Sequence, residues 1–216
     1  MEKVDPGALA DVAYGLFEVM LNTGLRARGP FLFELVEGGI DFGAQFLEIF
    51  DKFCSEYPQL GEALIFRFGS PDAIHHAILG GEGVVPSRTT RMYWIVQDAP
   101  DIKPDAIEDE LAGKWLIFLP PEKIDEAWVL VRNATCRNEL GISAKVRTAK
   151  PNPDSRDSMK VIYVYTPDWR DEPEVMRIRE RLRELGFTDR IGYKRNIETF
   201  KGEYSQKGKR VTFYSA

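Results

Sequence analysis

Apolar residues recur every three to four positions in several parts of the chain, which is the spacing of one face of an α-helix. In one of these stretches Phe46, Ile49 and Phe53 fall on a single stripe, and Pro58 follows it. In another, Gly186 stands where a helix C-cap glycine is expected. The pattern therefore predicts helices in the following segments: 6–22, 42–57, 71–79, 122–135 and 174–185.

Other stretches alternate between apolar and polar residues or are rich in β-branched and aromatic residues, as strands are. The clearest is Val161–Thr166. Strands are also predicted at 63–68, 92–96, 114–119 and 143–148. Two or three more are expected after Ile191, with Lys207-Gly208 as a hairpin turn between Phe200–Tyr204 and Val211–Tyr214. The stretch between Gly29-Pro30 and Gly38-Gly39 is predicted to be a loop or short turn.

This order of elements predicts the fold class. Helices and strands alternate irregularly and a hairpin signal closes the chain, which favours α+β with a mainly antiparallel sheet of about six to eight strands. The helices at 122–135 and 174–185 each carry one apolar stripe and should cover the same sheet face. We expect an N-terminal helical extension over residues 1–85 and an α+β sheet domain over residues 86–216.

Composition narrows the class of protein. Apolar residues make up 44% and charged residues 29%, as in a folded globular protein. No segment resembles a signal peptide and no apolar run approaches the ~20 residues of a membrane span, so we expect a cytoplasmic protein. From Lys145 onward, 17 Lys and Arg face 11 Asp and Glu, although the whole chain carries −5. A basic C-terminal part on an acidic protein indicates an anionic ligand bound locally.

Several common chemistries lack their motifs. Neither a GxGxxG after a strand nor a GxxxxGK[ST] is present. His75 and His76 are adjacent, so on a helix they point about 100° apart and are poorly placed to chelate one metal. The chain has only two histidines, and no Ser/His/Asp arrangement is recognisable around them. We therefore predict no metal and no cofactor, and we expect Cys54 and Cys136 to be buried thiols.

Cations at strand spacing are the strongest candidates for a site. Lys145 and Arg147 are two residues apart and so share one face of their strand. Arginine supplies a bidentate fork and lysine a point charge, and together they can hold a phosphate. The alternative is a sheet edge decorated with charge against strand pairing. The residues predicted to form the phosphate site are Lys114, Lys145, Arg147, Tyr163, Tyr165, Lys194 and Arg195.

The region from about Tyr93 to Tyr214 resembles the basophilic leukaemia-expressed protein family. The motifs that carry the resemblance are Trp94-Ile95-Val96-Gln97-Asp98-Ala99-Pro100, Gly113-Lys114-Trp115-Leu116-Ile117-Phe118, Ala144-Lys145-Val146, Val164-Tyr165-Thr166, Tyr193-Lys194 and Lys201-Gly202-Glu203-Tyr204. That family is grouped with the fold of the cap-binding initiation factor 4E. The resemblance therefore implies a curved antiparallel sheet backed by helices.

A second resemblance is to the effector phosphothreonine lyases, whose Gly-x-Lys-Phe-His strand is similar to Gly113–Leu116. It implies β-elimination of phosphate, with Lys145 as the catalytic base and Arg147 on the phosphate. Leu116 stands where the lyases have their histidine acid, and leucine cannot protonate a leaving group. We therefore predict a phosphate- or phosphopeptide-binding protein in which β-elimination is a further possibility.

The main alternative is a protein that binds a nucleotide or an RNA cap. Such a protein stacks the base between aromatic planes. The candidate side chains are Trp94, Trp115, Trp128 and Trp169. An exposed pair of parallel indoles would favour this alternative, and a cationic pocket around Lys145 would favour phosphate. The expected partner is a phosphate-bearing small molecule or phosphopeptide, with nucleic acid less favoured and no membrane contact.

Overall fold

The computed structural model describes residues 6–102, 107–152, 158–200 and 212–216. Two compact units can be distinguished. The helical unit contains the described residues up to Tyr93 together with 148–152, and the sheet unit contains the other described residues. The predicted boundary between residues 85 and 86 stays a prediction; the observed division falls at Tyr93. No helix within the described ranges is both long enough and apolar enough to cross a bilayer.

The helical unit consists of five α-helices around its own core. They are α1 Pro6–Arg26, α2 Leu32–Gly38, α3 Gly43–Glu56, α4 Pro58–Phe68 and α5 Pro71–Leu79. Phe17 lies at the centre of this core, in edge contact with Phe46, Phe50 and Phe53 of α3. The stripe predicted on α3 therefore packs against α1.

Two predictions for this unit are wrong. The segment 63–68, predicted to be a strand, is the second half of α4, where Leu64 is buried and Phe66 is 83% exposed. A short apolar run does not distinguish a strand from a helix; Pro58 in the first turn begins the helix and packing against α1 decides the outcome. The predicted loop before Gly39 contains α2, which ends at Gly39 in the left-handed conformation, φ 62°.

The sheet unit confirms the predicted fold class, α+β with a curved antiparallel sheet. Its strands lie in the order β1-β3-β4-β2-β5-β6, and every neighbouring pair is antiparallel. The strands are β1 Trp94–Asp98, β2 Gly113–Leu119, β3 Ser143–Arg147, β4 Lys160–Thr166, β5 Gly192–Arg195 and β6 Tyr214–Ser215. The helices are α6 Ile124–Cys136, α7 Glu172–Glu184 and α8 Asn196–Phe200. Most of the predicted C-terminal hairpin lies outside the described residues.

Helices α6 and α7 cover one face of this sheet, as predicted. Trp128 of α6 and Ile178 of α7 belong to the same core as Trp115 and Val164 of the central strands. The indole N–H of Trp115 donates to the carbonyl oxygen of Val175 at 3.1 Å, which satisfies the polar end of a fully buried ring. This face is apolar, so side chains that alternate with it must point to the opposite face.

Arg179 of α7 fixes the far end of the sheet. Its side chain is completely buried, and its guanidinium donates to the carbonyl oxygens of Phe187, Asp189 and Ala216 at 2.7–3.1 Å. A buried guanidinium without such partners would be costly, so these bonds hold α7 to the segments that flank β5. Strand β5, which carries Lys194, is thereby held in place.

Candidate anion-binding site

The sheet face opposite the helices is lined by cations and aromatic rings. Side chains alternate along each strand, and the neighbours of these residues, such as Val146 and Val164, fill the core. Lys145 lies opposite Tyr163, and Lys114 lies between Tyr165 and Lys194. We call this surface the cationic face, and define it by Trp94, Lys114, Lys145, Arg147, Tyr163, Tyr165 and Lys194.

The cations of this face lie over its rings. Lys145 Nζ is 4.7 Å from the centre of the Trp94 ring, and 5.4 Å from those of Tyr163 and Tyr165. Lys114 Nζ is 5.6 and 5.3 Å from the same two tyrosine rings. The Arg147 guanidinium carbon is 5.5 Å from the Trp94 ring. These distances fall within the ~6 Å over which a ring attracts a cation.

Burial and like charge change the acidity of these groups. Lys114 is only 6% exposed, and its burial, followed by the charges of Lys145 and Lys194, lowers its pKa to about 8. Glu198 opposes this shift. Burial also lowers the pKa of Lys145 and raises that of Tyr165. Bringing cations together in this way costs energy in the free protein, and a bound anion would recover it.

Asn196 completes the surroundings of Lys114, and the sequence analysis did not assign it to the site. Lys114 Nζ donates to Asn196 Oδ1 at 2.8 Å. The Asn196 backbone N–H donates to the carbonyl oxygen of Ala112 at 2.9 Å, which fixes Asn196 beside the start of β2. The signal in the sequence was its place two residues after Tyr193-Lys194, one of the motifs that carry the family resemblance.

A cavity of about 340 Å³ opens at one end of the cationic face. Tyr165 and Asn196, which both contact the Lys114 amine, also line this cavity. Its other lining residues are Asp98, Ile102, Ile107, Asp109, Ala112, Ile142 and Ser143. Asp98 and Asp109 were not predicted to belong to the site.

The structure brings six of the seven predicted site residues to one face and places Arg195 elsewhere. Arg195 follows Lys194 and therefore points to the opposite side of β5. Its guanidinium pairs with Glu198 at 2.8 Å and lies 4.8 and 4.4 Å from the rings of Trp169 and Phe213. Whether the six residues that do converge bind phosphate stays a prediction.

The tryptophans separate into different roles. Trp115 and Trp128 are at most 1% exposed and belong to the core. Trp169 packs at the edge of that core, in edge contact with Phe213. Trp94 alone among the four lies on the cationic face, where it stacks on Tyr163 with ring centres 5.2 Å apart and planes at 30°. The aromatic platform is thus an indole on a phenol rather than a pair of indoles.

The histidine acid that the lyases use has no counterpart beside Lys114 among the described residues. Leu116 occupies the position two residues along β2, opposite Tyr163. The chain's two histidines, His75 and His76, both lie in α5 of the helical unit. Within the described ranges, no group of three or more His, Cys, Asp or Glu is arranged to hold a metal ion.

Comparison with solved structures finds similarity to three eIF4E proteins that were solved with cap ligands. C. elegans eIF4E-3 in complex with the 4E-binding protein Mextli and a cap analog is 17% identical, with a TM-score of 0.40 over 50% of this chain and 65% of that one. Schistosome eIF4E complexed with m7GpppA and 4E-BP is 16% identical, with a TM-score of 0.48 over 66% and 80%. Ascaris suum eIF4E-3 with m2,2,7G cap is 18% identical, with a TM-score of 0.38 over 56% and 68%.

A family model also matches the chain. Residues 101–200 match the model for basophilic leukemia-expressed protein Bles03. The matched segment contains β2, β3, β4 and β5, which carry every lysine of the cationic face. The resemblance that the sequence motifs indicated is confirmed: residues 101–200 are similar to the Bles03 family.

Proposed function

We propose that the sheet unit binds a nucleotide-type ligand, with its phosphates on the cations of the cationic face and its base on the Trp94–Tyr163 stack. One observation carries the proposal: Lys145 Nζ lies within 4.7–5.4 Å of three aromatic rings on the same sheet face. A ligand that is both anionic and aromatic uses both parts of such a surface. A phosphate without a ring uses only the cations.

The energetics favour this assignment over a charged edge that only prevents strand pairing. Lys145 lies on β3, and Lys114 on β2; both are interior strands of the sheet, where there is no edge to protect. Burial lowers the pKa of both lysines, and the charges of Lys145 and Lys194 lower that of Lys114 further, so an arriving phosphate would offset the cost of holding Lys114 charged. Charge-assisted contacts contribute about 1.5–3 kcal/mol each, and stacking of one base about 1–3 kcal/mol.

The three comparison structures were solved with a cap, a cap analog or a capped dinucleotide. The proposal for this chain does not extend to a particular base, since the rings that stack a base accept any of them. A guanine nucleotide is used below as the first probe. A phosphothreonine peptide is the second, because the predicted phosphopeptide ligand would use the same cations.

The β-elimination predicted from the lyase resemblance needs a base and an acid. The lysine with the more strongly lowered pKa is Lys114, and not the predicted base Lys145. Leu116 supplies no acid, and the tyrosine hydroxyl of Tyr165 has a raised pKa because it is buried. We therefore propose that this face binds a ligand and do not propose that it catalyses β-elimination. Mass spectrometry of a phosphothreonine peptide after incubation with the protein tests for loss of phosphoric acid.

Calorimetry at low salt with GTP, guanosine and inorganic tripolyphosphate tests the two-part site. We expect GTP to bind at least ten times more tightly than either fragment. Trp94→Leu should weaken GTP and leave tripolyphosphate unchanged, whereas Lys145→Gln should weaken both. Arg170→Ala is the matched control, because Arg170 is exposed and pairs with Asp168. Equal affinity for GTP and tripolyphosphate, with no effect of Trp94→Leu, would refute the nucleotide assignment.

A further inference from the structure

Lys114 is held both by burial and by a hydrogen bond to its amine. It lies on the central strand β2, between Tyr165 on β4 and Lys194 on β5. Its side chain is 6% exposed, and its amine donates to Asn196 Oδ1. Both protonation states of an amine have an N–H for this bond, so Asn196 orients the nitrogen whether or not it is charged.

The groups that face this amine come from every strand and helix around it. Among the described residues they include Lys145 on β3, Tyr163 and Tyr165 on β4, Lys194 on β5 and Glu198 on α8. Burial and the two neighbouring ammonium groups favour the neutral amine, and Glu198 opposes it. At pH 7 roughly one Lys114 in ten is then neutral, against roughly one in several thousand for an ordinary lysine. A desolvated lysine beside another cation is a known form of activated nucleophile.

A cavity lies next to the side chains that surround this nitrogen. The 340 Å³ cavity is lined by Tyr165 and Asn196, and these two side chains are also the ones that contact the Lys114 amine. Ser143, on the same face of β3 as Lys145, lines it too. A compound in the cavity would therefore lie beside Lys114 and could extend a phosphate onto the cations.

We infer that Lys114 is a nucleophilic amine that forms an imine with an aldehyde or ketone bearing a phosphate, the phosphate being held by Lys145 and Arg147. The nitrogen lone pair attacks the carbonyl carbon, and the carbonyl oxygen takes up one proton from the nitrogen, directly or through solvent, to give a carbinolamine. The hydroxyl group then takes up the nitrogen's second proton and leaves as water while the C=N bond forms. No oxidant or reductant takes part, and hydrolysis reverses the step. The phosphate contacts rest on the proposed function; the amine's reactivity does not.

Pyridoxal 5′-phosphate and pyridoxal are suitable probes, since they share an aldehyde and differ in the phosphate. The full chain is incubated with each, the imine is reduced with borohydride, and labelled peptides are mapped by mass spectrometry. We expect pyridoxal 5′-phosphate to label Lys114 at least ten times faster than the exposed Lys123, and at least ten times faster than pyridoxal does. Labelling spread evenly over exposed lysines would overturn the inference.

Two variants separate reactivity from folding. Lys114→Arg should remove the main label and keep the charge, while Lys123→Arg should leave it. In Lys145→Met, loss of a neighbouring cation should move the pH midpoint of Lys114 labelling by pyridoxal upward by half a unit or more. A midpoint that does not move overturns the inference even if Lys114→Arg fails to fold. GTP binding without any Lys114 label would refute the imine alone, whereas label without GTP binding would refute the nucleotide proposal alone.

Discussion

Replacing Glu18 by glutamine should change how the stability of the protein depends on pH. Glu18 lies on α1 of the helical unit and is 7% exposed. Its carboxyl accepts a hydrogen bond from Asn22 Nδ2 at 2.5 Å, and burial raises its pKa to about 8. The folded protein therefore holds Glu18 protonated at neutral pH, and glutamine imitates that uncharged form.

The magnitude follows from the shift in pKa. In the unfolded chain the Glu18 carboxyl has the ordinary value of 4.5. Because the folded value is higher, the carboxyl destabilises the fold progressively as pH rises from 4.5 to 8, and below 4.5 it has no such effect. Each unit costs about 1.4 kcal/mol, so the whole interval amounts to roughly 5 kcal/mol. Between pH 6 and pH 8 the loss should be about 2–3 kcal/mol.

Urea unfolding of the wild type and of Glu18→Gln at pH 5, 6, 7 and 8 measures this loss. The difference in unfolding free energy should grow steadily in favour of glutamine as pH rises. Glu62→Gln, at an exposed position on α4, is the control and should run parallel to the wild type. Parallel curves for Glu18→Gln as well would show that the carboxyl ionises freely in the folded protein, and the reasoning from burial would be wrong.

Three further predictions concern the sheet unit. Arg147→Ala should weaken binding of GTP by about 1.5–3 kcal/mol, whereas Arg170→Ala should cost roughly 0–1 kcal/mol, as measured by calorimetry; equal losses would contradict the site. Affinity for tripolyphosphate should fall between pH 7 and pH 9 as Lys114 loses its proton near pH 8, and Lys114→Arg should abolish that fall. Gly141→Ala should destabilise the sheet by about 3 kcal/mol or more in thermal unfolding, because the added carbon would collide with the carbonyl oxygen of Tyr165; a neutral effect would show that β4 can yield there.

Some of the site was predictable because a strand has a period of two. That period places Lys145 with Arg147, and Tyr163 with Tyr165, whatever the rest of the chain does. The same rule shows that Lys194 and Arg195 cannot share a face, so the prediction of Arg195 at the site could have been avoided from the sequence. The motif order likewise indicated the family that residues 101–200 match.

By itself the sequence determined which segments have helical or strand spacing of apolar residues, the α+β class, and which cations share one face of a strand. These features depend on neighbours a few residues apart. Only the tertiary structure decided which strands lie side by side, because strand pairing joins residues far apart in the chain. Lys114 and Asn196 are 82 residues apart, and no local pattern brings them together. The helical state of 63–68 was also decided this way, by packing of α4 against α1. The lowered pKa of Lys114 arises from burial and from lysines on two other strands, and it therefore exists only in the folded sheet.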